Sequence, residues 1–204
     1  MFPELVTGPT TEPVSASEAK SHLRVTTSAD DTFIGTLIVA ARQAAEKHTN
    51  RSFIDQTWQV FLDEWPQGGM GWWDGVRQGS ILSYQNPEIR LPLGPVLSVT
   101  SITTYDEADV GTVFSSTKYF VDTGKARIVL RTGESWPLPT RRYSGIKILW
   151  KSGWTNAAAV PQGIKQAMLV HIAAMYERRG DELTEVSLPA LGRTILDQYR
   201  WIAL

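Results

Sequence analysis

The chain has 204 residues, 20 Lys and Arg against 21 Asp and Glu, a formal net charge of -1 and no cysteine. That length is enough to bury a real core, in one domain or in a core with a subdomain. Near-neutrality argues against a protein whose main task is gripping nucleic-acid phosphates, and the missing cysteine removes disulfides, thiolate metal sites and cysteine nucleophiles together. The composition suits a reducing compartment. No apolar run is long enough to cross a bilayer and no secretory leader is visible, so synthesis in the cytoplasm and no membrane partner are expected.

Ser15, Ala16, Ser17 and Glu18 have capping-box spacing, which predicts a short helix from Ala16 to Leu23. The start signal recurs at Ser28 to Asp31. Phe33, Ile34, Leu37, Ile38, Ala41, Ala44, Ala45 and His48 then fall along one helical face. Asn50 is a fitting stop, because Asn tolerates the left-handed conformation that ends many helices. From Thr57 the period becomes alternating, with Trp58, Val60 and Leu62 opposed to Gln59, Phe61 and Asp63, as in a strand with one buried face. Between Trp65 and Gly75 the closely spaced Gly and Pro predict a long exposed loop that carries Trp72 and Trp73.

Further strands are expected at Glu88 to Leu91, Val96 to Tyr105, Lys118 to Val121, Ala126 to Leu130 and Ile146 to Lys151. Asp122 to Lys125 is the clearest hairpin turn. Helix returns near Pro161, with an apolar face of Ile164, Ala167, Met168, Ile172, Met175 and Tyr176 and a stop at Gly180. The last segment, Leu191 to Leu204, carries Ile195, Leu196, Tyr199, Trp201, Ile202 and Leu204. Such a tail needs a surface to bury against, in its own subunit or in a partner. The layout is α+β, a helical base with a β-rich insert, which is commoner in assembly proteins than in enzymes.

The search for chemistry yields little. His22, His48 and His171 sit on three separate predicted helices without ligand spacing, and no catalytic or metal residue set emerges. Asp30 with Asp31, and Asp63 with Glu64, are paired carboxylates best read as helix-start and strand-end residues. Trp72 and Trp73 lack the interleaved basic stripe of a nucleic-acid platform. Arg141 with Arg142 reads as a solvated doublet, and Arg178 with Arg179 as a solvated doublet or a helix C-terminus. No nucleophile elbow, P-loop or dinucleotide fingerprint is present, and no cofactor is implied. The competing reading is a β-rich ligand-binding module that uses its Trp-rich loop, which leaves the helical flanks unexplained.

The stretches Ser17 to Val25, Asp30-Asp31 and Ala40 to Arg51 resemble the helical opening of phage head-tail connector proteins. Ile89 to Val96 with Val99 to Ile102 is similar to the entry into that family's β-insert. Trp136-Pro137, Ile146 to Ile148 with Gly153-Trp154, and Val160 to Ala167 follow in the family's order. The resemblance covers nearly the whole chain.

It implies a structural adaptor, not an enzyme, from a tailed double-stranded-DNA phage or a gene transfer agent. The fold implied is a helical bundle base formed by N- and C-terminal helices, with an inserted antiparallel β-sandwich-like region. The organisation expected is 1–55 N-terminal helices, 56–155 insertion, 156–182 bundle helix and 183–204 C-terminal tail. The family implies a dodecameric ring in the virion neck, between the portal and the stopper or tail, with DNA only passing through the channel. The C-terminal segment has the portal-docking role in such connectors. Here that assigns Leu191, Arg193, Ile195, Leu196, Tyr199, Arg200 and Trp201 to the portal. Trp72, Trp73, Tyr105 and Phe114, in the middle loops, are the expected contacts to the stopper or tail side.

Overall fold

The computed structural model describes residues 3–65, 88–139, 141–178 and 188–201. The chain divides into two compact units, Met1–Thr7 with Gln56–Ser152, and Gly8–Asp55 with Gly153–Leu204. The second is helical and its chain is interrupted by the first, which is built of antiparallel strands. The fold is α+β.

In the helical unit, α1 spans Ala16–Leu23, α2 Asp31–Thr49, α3 Gln162–Glu177 and α4 Ala190–Asp197. The Ser15 capping box forms in full: the Glu18 amide donates to Ser15 Oγ at 3.2 Å and the Ser15 amide donates to the Glu18 carboxylate at 2.7 Å. These bonds to Ser15 hold the Glu18 carboxyl below its ordinary pKa. Asn50 ends α2 in the left-handed region, at φ 54°. At the start of α2 the expectation needs correction. Asp30 makes no side-chain cap; its carboxylate accepts from the Tyr176 hydroxyl at 2.5 Å. A tertiary partner on α3 has replaced the local one.

Ala19 of α1, Ile34, Ile38 and Ala41 of α2, Ile164, Ala167 and Met168 of α3 and Leu196 of α4 share one core with Phe53 and Ile54. Alanines at several of these contacts let the helix backbones approach closely. Arg42 is buried on α2 between two carboxylates, Nε at 2.8 Å from Glu12 and Nη1 at 2.7 Å from Glu46. The second Glu46 oxygen accepts from the Phe53 amide at 2.7 Å.

In the β unit, β1 is Glu4–Thr7, β2 Gln56–Leu62, β3 Ile89–Arg90, β4 Val96–Tyr105, β5 Gly111–Val113, β6 Tyr119–Asp122, β7 Arg127–Leu130 and β8 Ile146–Ser152. One sheet has the order β1-β2-β8-β4-β5 and the other β3-β7-β6. All pairs are antiparallel, with Trp58 opposite Trp150 and Ile102 opposite Ile148. Among the described residues Trp150 is the largest fully buried side chain. The β6–β7 hairpin forms, and it turns at Thr123 to Ala126, one residue later than the Asp122 to Lys125 read from the sequence. Its left-handed position, however, is held by Ala126 at φ 50° rather than by Gly124.

Two strands were not legible. β1 lies in a stretch for which no element was read, and β5 in the segment from Tyr105 to Phe114, read as loop. Both are short, and their pairing residues are distant or lie across a turn.

Candidate docking surface

α4 has eight residues, too few to persist alone, so its position depends on tertiary anchors. Leu196 is fully buried in the helical core, and Ile195 and Tyr199 pack partly buried against it. The Tyr199 hydroxyl lies over Gly163 of α3, where a Cβ would come within 2.7 Å of it. Beyond the helix the Trp201 amide donates to the Thr49 carbonyl at 2.7 Å. Arg51 Nε donates to the Tyr199 carbonyl at 2.5 Å, and its guanidinium carbon lies 5.0 Å from the centre of the Trp201 ring. His48 Nε2 meets the Asp197 carboxylate at 2.8 Å. Burial lowers the Arg51 pKa.

The seven tail residues assigned to the portal therefore separate into two sets. Leu191, 60% exposed, Arg193 and Arg200 lie on the surface. Leu196 belongs to the core of its own unit, and Ile195, Tyr199 and Trp201 are directed at that unit too. Among the described tail residues the apolar side chains other than Leu191 are met largely within their own unit, where α4 packs on α3; Ile202 and Leu204 lie outside the described residues.

In the β unit, Trp72 and Trp73 lie outside the described residues. Phe114 is only 9% exposed and stacks on Tyr119 at 5.9 Å. It also meets Trp136 at 5.6 Å, and Trp136 in turn stacks on Trp65 at 4.5 Å. Phe114 is thus a core residue and not a loop anchor, and Trp65, read as the start of an exposed loop, belongs to the same cluster. Tyr105 is half-buried beneath Arg141, whose guanidinium carbon is 4.8 Å from its ring centre.

Arg141 organises the neighbourhood. Its Nη1 donates to Asp109 at 2.7 Å, its Nε to the Tyr143 carbonyl at 2.9 Å and its Nη2 to the Ser144 carbonyl. The exposed apolar side chains of this unit include Val110, Val113, Leu138 and Tyr143, which sequence reading did not single out. Only the turn-forming bonds of Asp106 to the Ala108 and Val110 amides hint in sequence that this is a displayed hairpin.

Of the carboxylates considered for chemistry, Asp30, Asp31 and Asp63 have structural partners. Asp31 pairs with Lys20 at 2.5 Å, and Asp63 accepts from the Ser144 amide at 2.6 Å. Among the described residues no three His, Cys, Asp or Glu side chains are grouped to hold a metal. His22 is exposed, and His171 is buried on α3 with Nδ1 unpartnered.

Burial lowers the His171 pKa from 6.5, so the unfolded chain takes up this proton more readily and stability falls as pH drops below 6.5. We expect His171→Leu to flatten that part of the curve. Chemical unfolding at a series of pH values will show it, and an unchanged slope would refute the assignment.

The geometry defines a class of protein, one in which a helical unit carries an inserted β unit with side chains engaged in packing and display. The same fold occurs in a chain of the neck of an empty gene transfer agent (GTA) particle computed with C6 symmetry. That match has TM-score 0.75 and 22% identity over 100% of this chain and 97% of the other. A chain from the virion of a native GTA particle matches with TM-score 0.74 and 23% identity, again over 100% and 97%. One from the neck of a native particle computed with C12 symmetry matches with TM-score 0.70 and 21% identity over the same shares. A comparison with curated proteins finds no match. Residues 15–122 match the family described as phage gp6-like head-tail connector protein, and the chain belongs to that family.

Proposed function

We propose that this connector forms a ring in the virion neck, between the portal and the stopper or tail, with double-stranded DNA passing through its channel. The observation that carries the reading is family membership over residues 15–122, joined by full-length likeness of fold to chains from GTA neck reconstructions with C6 and C12 symmetry. A cyclic ring needs two different complementary faces on each copy. A formal charge of -1 is compatible with a conduit that must not grip the duplex. Before assembly the chain resides in the cytoplasm of the producing cell.

Portal docking is assigned to the exposed part of the tail, Leu191, Arg193 and Arg200, with Ile195, Leu196, Tyr199 and Trp201 supporting it from beneath. The stopper or tail-side contact is assigned to the β unit, through Trp72 and Trp73 and the Tyr105 hairpin, with Phe114 as its internal support.

Light scattering of the purified chain, alone and mixed with the portal protein, tests the reading. The expected result is a complex of defined stoichiometry, and a mass indifferent to the portal would overturn it. Leu191→Asp combined with Arg193→Glu should weaken the complex at least about tenfold, as loss of an interface hot spot does, with the melting temperature unchanged.

A further inference from the structure

We infer that Arg51 is the positioning residue that preorganises the docking surface, by clamping the chain beyond α4 onto the end of α2. The inference rests on the portal-docking reading above for its functional half. Its structural half stands on geometry alone.

Four contacts converge on one helix end. The Arg51 guanidinium takes the Tyr199 carbonyl through Nε and lies against the Trp201 ring, so one planar group holds both the backbone and the side chain of the departing segment. Two residues earlier the Thr49 carbonyl, which the ended helix leaves without an intrahelical donor, receives the Trp201 amide. His48, on the last turn, meets Asp197. Asn50 supplies the left-handed turn that carries the chain from Thr49 to Arg51.

An eight-residue helix gains little from its own hydrogen bonds, and its buried Gly192 and Leu196, with Ile195 packed partly buried against the same core, anchor the helix but leave the chain beyond it free to fray. The clamp at its far end removes that freedom. Leu191, Arg193 and Arg200 are then held in one arrangement before any partner arrives, and docking need not bear the cost of ordering them. Arg51 was prominent in the sequence only as the residue after a helix stop. Its partners lie about 150 positions away, as the separation of 148 between Arg51 and Tyr199 states.

The test uses the full-length chain, its Arg51→Ala and Arg51→Lys variants, and two readouts. Hydrogen exchange over residues 190–201 should speed up about tenfold or more in Arg51→Ala, while the peptides of α2 and α3 keep their protection. Arg51→Lys keeps the charge but loses the planar fork, and should exchange nearly as fast as the alanine variant. Portal affinity should fall in the same order.

Unchanged exchange over 190–201 would refute the clamp. Faster exchange with unchanged portal affinity would refute its role in presentation. If the unaltered chain itself fails to bind the portal, the docking reading falls, and the exchange data still decide whether Arg51 is the clamp. Should Arg51→Ala lose protection throughout the helical unit, Trp201→Ala, which removes only the ring, decides in its place: exchange confined to 190–201 supports the clamp and none refutes it.

Discussion

Gly153→Ala is expected to cost the protein about 4 kcal/mol or more, a large fraction of the stability of an ordinary domain. Gly153 sits at φ +122°, a conformation that side chains with a Cβ rarely adopt. An added Cβ would fall 2.2 Å from the Ile54 carbonyl oxygen and 2.4 Å from its carbon. Those are backbone atoms, and they cannot turn aside as a side chain can. They are also tied down, since Ile54 and Trp154 form a parallel bridge, and the Asp55 amide donates to the Trp154 carbonyl at 3.0 Å. Urea unfolding measures the effect. Gly35→Ala on α2, where nothing lies within 4 Å of the new Cβ, is the control and should be neutral or slightly stabilising. A Gly153→Ala chain with a midpoint near that of the control would refute the argument.

Arg42→Ala is the second large effect, with an expected loss of about 3–5 kcal/mol, the range for breaking a buried charge pair from one side. Arg42 is 6% exposed, and its guanidinium serves Glu12 and Glu46 at once. The alanine variant withdraws the cation from two partly buried carboxylates, of which Glu46 is the less exposed. Glu46→Gln placed in the Arg42→Ala background should recover part of the loss, because a neutral amide still accepts from the Phe53 amide and no longer needs a cation. Thermal unfolding of the two variants side by side measures this. If the second substitution deepens the loss, the charge argument is wrong and packing by the long Arg stem explains the effect.

Local chemistry was legible wherever a few neighbouring residues decide the outcome. The Ser15 and Glu18 spacing predicts α1 with its observed bounds, Ala16–Leu23, because both partners of the cap lie within one turn. Asn50 marks the end of α2 through its tolerance of positive φ. Val96–Tyr105 is a strand as read, and the helical face that opens at Phe33 is largely the buried one. The candidate site was legible only as a list of apolar residues. Leu196 and Leu191 look alike in sequence, five positions apart on one short helix, yet one is fully buried and the other is 60% exposed. Phe114 and Trp65, next to turn residues, looked like displayed aromatics, and both are core.

The sequence by itself thus determined where helices start and stop, where the period changes from helical to alternating, and that the class is α+β. Each of those follows from interactions between residues a few positions apart. Only the tertiary structure decided that Glu4–Thr7 pairs with β2, that Asp30 serves Tyr176 instead of its own helix, and that Arg51 reaches Tyr199 and Trp201. These contacts join residues dozens to more than a hundred positions apart. Their loop-closure cost is met by the burial of the whole unit, so no local pattern in the chain records them.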